Sequence, residues 1–349
     1  MSIYKAIGIM SGTSLDGVDL AYCIFDKKQG RWEYQIIKSI TVEYDTLWKN
    51  KLINAPSLSA EGITKLDFEY GDYIGRLADA FIKRQNLKPD FIASHGHTIF
   101  HNPESGYTLQ IGKGSSISAH VDCAVISDFR SKDIALGGQG APLVPIGDKL
   151  LFSEYDACIN LGGVANISFN NDSNRIAWDI GFCNMPLNYL MRNFDKEYDN
   201  NGETASKGNI DNELLQELNR LDYYKQSHPK SIGREDFESM ILPIINNSKA
   251  STEDKLRTWV EHISSEITKN ISNIQNNILL TGGGALNTFL INTIKEKTNC
   301  NIIIPDEQLI NSKEALIFAF LGVLRMENEI NVLNSVTGAT KAHCSGAIY

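Results

Sequence analysis

Residues 8–19 have the composition of a phosphate-binding turn, since they combine glycines, hydroxyl side chains and two carboxylates. Apolar segments at residues 3–10 and 18–25 enclose the turn, which predicts a β-hairpin. Its candidate nucleotide ligands are Gly12, Thr13, Ser14, Leu15, Asp16, Gly17, Val18 and Asp19. Glycine lets backbone N–H groups approach a phosphate closely, and hydroxyl groups add donors. Asp16 and Asp19 would bind a magnesium ion on that phosphate. An ordinary Gly-Asp turn is the alternative explanation.

The carboxylate of Asp179 is the candidate for a general base. It is predicted to end an apolar strand, and Gly181 follows two residues later, which would leave room for a ligand. A carboxylate in that position could take a proton from a hydroxyl group or from water. The alternative is an aspartate that only caps a turn at the end of the strand.

Histidine and arginine side chains follow two predicted strands, residues 91–94 and 123–127. His95, His97 and His101 could bind a metal, because alternate strand residues share a face, but no carboxylate-rich motif accompanies them. His95 and His97 could equally bind a polar ligand. Arg130 could hold a carboxylate with two parallel hydrogen bonds, or it could form a surface ion pair.

The residue Glu314 lies at the predicted start of an apolar helix, residues 312–325, for which Ser312 is the expected N-cap. It is a further candidate for substrate binding. A favourable interaction with the helix dipole would explain the same position without any ligand.

Two further glycine turns follow short apolar strands in the second half of the chain. Gly162 and Gly163 connect two apolar segments, so this half opens as the first does, with strand, glycine turn and strand. Gly282, Gly283 and Gly284 come between a strand and a helix, where backbone donors and the helix dipole favour a phosphate, and a packing role would explain them equally well. Coincidence between two common glycine hairpins is the alternative to a repeated phosphate site.

Strands alternate with helices along the chain, which predicts an α/β fold of two similar domains, residues 1–150 and 151–349, with the last helix and tail returning to the first. The length of 349 residues agrees with two domains. The net charge of −9 argues against a nucleic-acid surface, and no apolar run is long enough to span a membrane. The six scattered cysteines predict neither disulfides nor a zinc site. We expect a cytoplasmic protein.

The combined motifs resemble the anhydro-N-acetylmuramic acid kinase family nearly from end to end. They are Met10-Ser11-Gly12-Thr13-Ser14-Leu15-Asp16-Gly17, Ser94-His95-Gly96, Thr108-Leu109-Gln110-Ile111-Gly112, Asp128-Phe129-Arg130, Gly137-Gly138-Gln139-Gly140-Ala141-Pro142-Leu143, Asn160-Leu161-Gly162-Gly163, Lys230-Ser231-Ile232-Gly233-Arg234-Glu235, Gly282-Gly283-Gly284-Ala285, Val336-Thr337-Gly338-Ala339 and Gly346-Ala347-Ile348-Tyr349.

The resemblance implies an actin/hexokinase-like fold, with two domains flanking a central nucleotide and substrate cleft. It implies ATP and Mg²⁺ as cofactors, an anhydro amino sugar as substrate, and a homodimer. In this family the 1,6-anhydro bond is cleaved and the released O6 is phosphorylated. Asp179 would then activate water, and Arg130 would bind the lactyl carboxylate. A sugar kinase without ring opening and an actin-like nucleotide-binding module are the alternatives.

The sequence departs from the family pattern at two places. His97 stands where the family usually has glutamine. Ile180, Phe182 and Cys183 stand where it usually has threonine, proline and glycine. The loss of the threonine and the glycine predicts one donor fewer and less backbone room beside the phosphates.

Overall fold

The computed structural model describes residues 3–12, 15–172, 174–274 and 276–349. Its strands are β1 Ile3–Met10, β2 Gly17–Lys28, β3 Arg31–Glu43, β4 Phe91–Ser94, β5 His97–Asn102, β6 Tyr107–Ile111, β7 Ala124–Ser127, β8 Ala157–Leu161, β9 Val164–Asn171, β10 Asn174–Phe182, β11 Asn277–Thr281, β12 Asn301–Ile303 and β13 Ala347–Ile348.

The α-helices alternate with these strands, and short 3₁₀ and π turns connect some of them. They are α1 Thr46–Asn54, α2 Ala60–Gln85, α3 Gly114–Ser118, α4 Ser131–Ala135, α5 Val144–Leu151, α6 Asn184–Met191, α7 Asn212–Arg220, α8 Arg234–Asp236, α9 Leu242–Asn247, α10 Thr252–Asn270, α11 Thr288–Glu296, α12 Glu307–Met326 and α13 Asn334–Thr337. None of the described helices is both long and apolar enough to cross a membrane.

The chain forms two compact units. The first contains Met1–Leu151 together with Ser312–Tyr349, and the second contains Phe152–Asn311. The C-terminal segment therefore contacts the N-terminal half, and helix α12 passes from the second unit into the first.

Each unit is built on a sheet with the same five-stranded topology, to which the first unit adds the edge strand β13. In the first, the order is β13-β7-β4-β1-β2-β3, and in the second it is β10-β9-β8-β11-β12. The hairpins β1–β2 and β8–β9 are antiparallel. On the other side of β1, the strands β4 and β7 run parallel to it, as β11 and β12 do beside β8, whereas β13 is antiparallel to β7. This confirms an α/β fold with two similar halves, each opening on a hairpin.

Local sequence explains the main elements of the first unit. Helix α2 has buried residues at helical spacing, an N-cap at Ser59 and a left-handed C-cap at Asn86, which together fix both of its ends. The predicted range of 60–84 differs from the observed helix by one residue. Strand β5 was not predicted, because its pairing with β6 has little apolar alternation to indicate it.

Helix α12 begins earlier than the sequence predicts. It starts at Glu307, where the carboxylate of Asp306 accepts a hydrogen bond from the Leu309 N–H at 2.8 Å, so Ser312 is not its N-cap. Ser312 is instead buried within the helix. The prediction was wrong because the apolar run that marks the helix begins one turn after the helix itself.

Candidate active site

The turn between β1 and β2 is anchored by a buried polar network at Ser11. The Ser11 Oγ lies 2.6 Å from the Tyr44 hydroxyl and 2.8 Å from His97 Nδ1. Leu15 has a φ of +63°, an unusual conformation for a residue with a branched side chain. Thr13 and Ser14 lie outside the described residues. Ser11 thus fixes the start of the turn, and Gly12 follows it directly.

Two of the predicted turn ligands owe their residue type to packing. A Cβ on Gly17 would lie 2.4 Å from the Val42 carbonyl oxygen, so glycine is required there by the pairing with β3. The Val18 side chain is fully buried in the core of the first unit. Neither side-chain position offers contact to a ligand, and only the backbone at Gly17 and Val18 could provide one.

The carboxylates of Asp16 and Asp19 lie close to each other at the end of this turn. Asp16 is exposed and Asp19 is half-buried, and the Thr41 hydroxyl donates to Asp19 Oδ1 at 2.6 Å. Burial raises the pKa of Asp19, and the charge of Asp16 raises it further. Among the described residues, no group of three or more His, Cys, Asp or Glu is placed to hold a metal. Two carboxylates nevertheless suit Mg²⁺, which commonly keeps water and phosphate oxygens as its other ligands.

Arg130 and His95 form a fixed pair on the same unit. Arg130 Nε and Nη2 both donate to His95 Nε2, at 3.0 and 2.9 Å, and His95 Nδ1 lies 2.9 Å from the Gly96 carbonyl oxygen. The histidine is therefore neutral, with its proton on Nδ1. Burial lowers the pKa of His95 well below its ordinary value, and the Arg130 charge lowers it further.

The guanidinium of Arg130 is held on a second side by the Gly140 carbonyl oxygen, 2.6 Å from Nη1. Three of its five N–H groups are engaged, which leaves one on each Nη atom for a ligand. Burial lowers the pKa of Arg130 to about 10, so the group remains charged at neutral pH. A two-point interaction with a carboxylate is thus available from a rigidly oriented fork.

His97 and His101 have different surroundings from His95. The His97 ring is buried against Tyr70, and burial lowers its pKa to about 4. Because Nδ1 faces Ser11, His97 supports the β1–β2 turn directly. His101 is exposed, and its Nδ1 lies 3.1 Å from the Thr108 hydroxyl.

Helix α12 places Glu314 near the β1–β2 turn because β1 carries a glycine. A Cβ on Gly8 would lie 1.8 Å from the Ala315 carbonyl oxygen, so no larger residue would permit this approach. The Glu314 side chain remains accessible to water, although protein atoms surround it closely. Desolvation raises the pKa of Glu314, the Asp19 charge raises it further, and Lys313 and Arg130 oppose the change. Asp19 and Arg130 thus both lie within electrostatic reach of Glu314.

A polar depression of about 160 Å³ opens beside His95 in the first unit. Its lining includes Gln110, Asp128 and Tyr349, which we did not select as site residues from the sequence. The sequence did contain a signal for these residues, because all three lie within the motifs that carry the family resemblance.

In the second unit, Asp179 lies on β10 at a β-bulge opposite β9. Its Oδ2 accepts a hydrogen bond from the Ile232 N–H at 3.1 Å, and the Tyr223 hydroxyl donates to its backbone oxygen at 2.7 Å. Burial raises the pKa of Asp179 to about 6, although the bond from Ile232 opposes the shift. A carboxylate with that pKa is mostly ionised at neutral pH yet is a stronger base than an exposed aspartate.

Two details of the sequence-based view of Asp179 were wrong. The strand continues to Phe182, so Asp179 is not at its end. Gly181 does not leave room for a ligand, because a Cβ there would lie 2.6 Å from the ring of Tyr224. Glycine at this position permits the tyrosine to pack against the strand.

The two glycine turns of the second unit lie side by side. A Cβ on Gly282 would lie 2.6 Å from Asn160 Oδ1, and one on Gly284 would lie 2.8 Å from Leu161 Cβ, so these glycines allow the turns to pack together. Gly163 and Gly283 are exposed, and a Cβ on them would make only ordinary contacts, 3.5 Å from Met185 Cε and 4.0 Å from Asn184 Nδ2. Gly162 is partly exposed beside them. The two turns, residues 162–163 and 282–284, therefore present one exposed backbone surface, the glycine surface.

Asn184 joins these turns and is a residue that sequence reasoning did not select. Its Nδ2 donates to the Leu161 carbonyl oxygen at 2.9 Å, and its backbone N–H donates to the Gly162 carbonyl oxygen at 3.1 Å. It begins α6, directly after β10, and so connects the strand of Asp179 to the glycine surface. The available signal was its position directly after Cys183, the last of the departures from the family pattern that follow Asp179.

Comparisons with known proteins agree with this arrangement of motifs. The model of the family described as anhydro-N-acetylmuramic acid kinase matches residues 4–349. The chain belongs to the anhydro-N-acetylmuramic acid kinase family. The kinase of this name from Sulfurovum sp. (strain NBC37-1) is 35% identical, with 100% of each chain covered. The one from Clostridioides difficile (strain 630) is 35% identical over 96% of this chain and 95% of the relative.

A further relative with the same name, from Francisella tularensis subsp. novicida (strain U112), is 34% identical over 100% of this chain and 99% of its own. Among solved structures, a ROK hexokinase from Thermus thermophilus matches with a TM-score of 0.44 and 9% identity, over 91% of this chain and 99% of that chain. The sequence matches alone establish that this chain is a kinase of the anhydro-N-acetylmuramic acid kinase family.

Three of the four departures from the pattern of the anhydro-N-acetylmuramic acid kinase family lie in the core of the second unit, and the fourth, His97, lies in the first unit. Ile180, Phe182 and Cys183 have no exposed surface and pack into its main hydrophobic cluster. The Cys183 N–H still donates to the Gly163 carbonyl oxygen at 2.8 Å. The three substitutions therefore change core packing behind the glycine surface and place no side chain upon it.

Proposed function

We propose that this kinase cleaves the 1,6-anhydro ring of 1,6-anhydro-N-acetylmuramic acid and phosphorylates O6, giving N-acetylmuramate 6-phosphate. The observation that carries the proposal is the environment of the Asp179 carboxylate. This carboxylate is half-buried, with a pKa of about 6 and a fixed orientation, in a chain of this kinase family.

The proposed reaction consumes one water molecule and one ATP. Asp179 takes a proton from water, whose oxygen attacks the anomeric carbon. The bond between C1 and O6 breaks, its electron pair goes to O6, and O6 attacks the γ-phosphorus while ADP leaves. The proton held by Asp179 then passes to solvent. Positioning and charge neutralisation provide most of the phosphoryl-transfer catalysis.

Each unit offers its own candidate backbone contacts for the nucleotide. In the second unit these belong to the glycine surface of Gly162, Gly163 and residues 282–284. In the first unit they would belong to the turn that follows Ser11, where a nucleotide would accept from backbone N–H groups. Asp16 and Asp19 would hold Mg²⁺, which neutralises phosphate charge when it is bound.

The sugar is proposed to bind the first unit through Arg130. The two remaining N–H groups of its guanidinium suit the lactyl carboxylate, since charge-assisted paired bonds of this kind are strong and geometrically specific. His95 orients the guanidinium, and His97 supports the turn next to it. Glu314 would accept hydrogen bonds from sugar hydroxyl or amide groups.

The family resemblance further supports a homodimer acting in the cytoplasm, in the recycling of peptidoglycan. Light scattering of the purified protein tests the oligomeric state directly. A monomer at micromolar concentration would contradict that part of the proposal.

Isotope labelling distinguishes ring opening from ordinary sugar phosphorylation. With ATP, Mg²⁺ and the anhydro sugar in H₂¹⁸O, we expect a 6-phosphate that carries one ¹⁸O at C1 and none in the phosphate, measured by mass spectrometry. Unlabelled product incubated in the same water gives the exchange background. A product that keeps the anhydro ring, or gains no label above that background, supports a sugar kinase without ring opening.

The rate should also fall in acid as Asp179 becomes protonated. Its raised pKa means that the basic form predominates above about pH 6 and is lost below it, so kcat/KM should decrease about tenfold for each pH unit well below 6. Steady-state rates between pH 4.5 and 8.5 measure this decrease in kcat/KM, and circular dichroism at each pH checks that the protein remains folded. If kcat/KM instead falls with a midpoint near pH 4, burial does not raise the pKa of the base.

A further inference from the structure

The orientation of Arg130 depends on the Gly140 carbonyl oxygen, which lies in a glycine-rich loop. Gly140 has a φ of +68°, and Gly137 at +78° also lies in the left-handed region. Glycines give a loop conformational freedom. A hydrogen bond of 2.6 Å from Arg130 Nη1 to this loop is therefore a rigid support only if another group fixes the loop.

The buried carboxylate of Asp133 is that group. Asp133 has no exposed surface, and its Oδ2 accepts a hydrogen bond from the Gly140 N–H at 2.7 Å. A Cβ on Gly138 would lie 2.2 Å from the same oxygen, so glycine lets the loop close around the carboxylate. Burial lowers the pKa of Arg130, and the charge of Asp133 partly offsets this effect.

The C-terminal segment completes the support. The Thr337 hydroxyl donates to Asp133 Oδ1 at 2.8 Å, and both residues are buried. The Thr337 carbonyl oxygen accepts a hydrogen bond from the Gln139 N–H at 2.8 Å, and the Thr340 N–H donates to the Leu136 carbonyl oxygen at 3.0 Å. The segment thus contacts Asp133 itself and the loop that follows it, at Leu136 and Gln139.

We infer that Thr337, acting through Asp133 and Gly140, is a positioning residue for Arg130 and so for recognition of the carboxylate of the substrate. The inference rests on the proposed function, in which Arg130 binds that carboxylate. Thr337 does not touch the substrate. Its hydroxyl satisfies one oxygen of a buried carboxylate, and without it that oxygen must find another donor or shift.

The test is the variant Thr337→Val, which keeps the shape of the side chain and removes the hydroxyl. We expect the KM for the anhydro sugar to rise about five- to tenfold, less than the loss of a direct hydrogen bond to a charged group would cause, because Thr337 acts only through Asp133 and Gly140. The KM for ATP should stay within about twofold. Thr337→Ser, which restores the hydroxyl, should return the sugar KM close to wild type. Thr293→Val is the matched control, since that buried threonine donates only to its own helix, to the Phe289 carbonyl oxygen.

A double-mutant cycle separates this inference from the proposed function. In the background of Arg130→Ala, Thr337→Val should add no further change to the sugar KM. If Arg130→Ala itself leaves the sugar KM unchanged, the proposed role of Arg130 is wrong. If Arg130→Ala raises it and folded Thr337→Val does not, only the positioning role is overturned. Should Thr337→Val not fold, Gly138→Ala, which displaces Asp133 from the other side, must give the same KM signature or the inference fails.

Discussion

Asp179→Asn should lower turnover about 10²–10⁴-fold while ATP affinity remains close to wild type. An amide cannot take a proton from water, and this is the scale on which a general base contributes to catalysis. The fold should persist, because the Asn oxygen can still accept the bond from the Ile232 N–H. Steady-state rates by coupled ADP assay, with calorimetric titration of a non-hydrolysable ATP analogue, measure the two quantities.

The control for this variant is Asp222→Asn, which changes an exposed aspartate paired with Lys225 on the same unit. It should leave both turnover and nucleotide affinity unchanged. Near-normal turnover in Asp179→Asn would exclude Asp179 as the base. A loss of ATP affinity together with turnover would place Asp179 among the nucleotide ligands.

Removing the guanidinium in Arg130→Ala should raise the KM for the anhydro sugar at least about tenfold. Hydrogen bonds to charged groups contribute about 1.5–3 kcal/mol, and 1.4 kcal/mol corresponds to one factor of ten. The KM for ATP should hardly change, since the proposed nucleotide contacts do not include Arg130. Arg130→Lys should recover only part of the affinity, because an ammonium group lacks the planar fork.

Stability must be followed in the same experiment, since Arg130→Ala leaves His95 Nε2 and the Gly140 oxygen without their donor. A buried polar group without a partner costs about 1–3 kcal/mol. Arg76→Ala, at an exposed residue paired with Asp72, is the control for loss of an arginine. If Arg130→Ala weakens ATP and spares the sugar, Arg130 is a phosphate ligand and the proposed assignment of the two substrates is reversed.

The sequence indicated the elements that carry the site because their signals are local. Strand β1 was predicted at residues 3–10 and β4 at 91–94, as observed, since both are apolar runs that end at a change to polar residues. The repeated strand, glycine turn and strand predicted two similar sheets, which the topology confirms. The N-cap of α12 was wrongly predicted at Ser312, because apolar periodicity marks the buried part of a helix and not its first turn.

The reasons for individual glycines could not be obtained from the sequence. Gly8, Gly17 and Gly181 each permit a close contact with a distant segment, respectively α12, β3 and Tyr224. A glycine that admits a ligand and a glycine that admits a neighbouring backbone look alike in a sequence. Only the position of the partner atom distinguishes them, and that position depends on tertiary packing.

The sequence by itself determined the family, the α/β class and the identity of the chemical groups, because motifs and periodicity are properties of neighbouring residues. The tertiary structure decided how those groups behave. Burial raises the pKa of Asp179 to about 6, and the fork of Arg130 is oriented by His95 and Gly140. The fold also connects Thr337 to Asp133, far apart in the chain. These properties depend on desolvation and on contacts between distant residues, which only the packed chain creates.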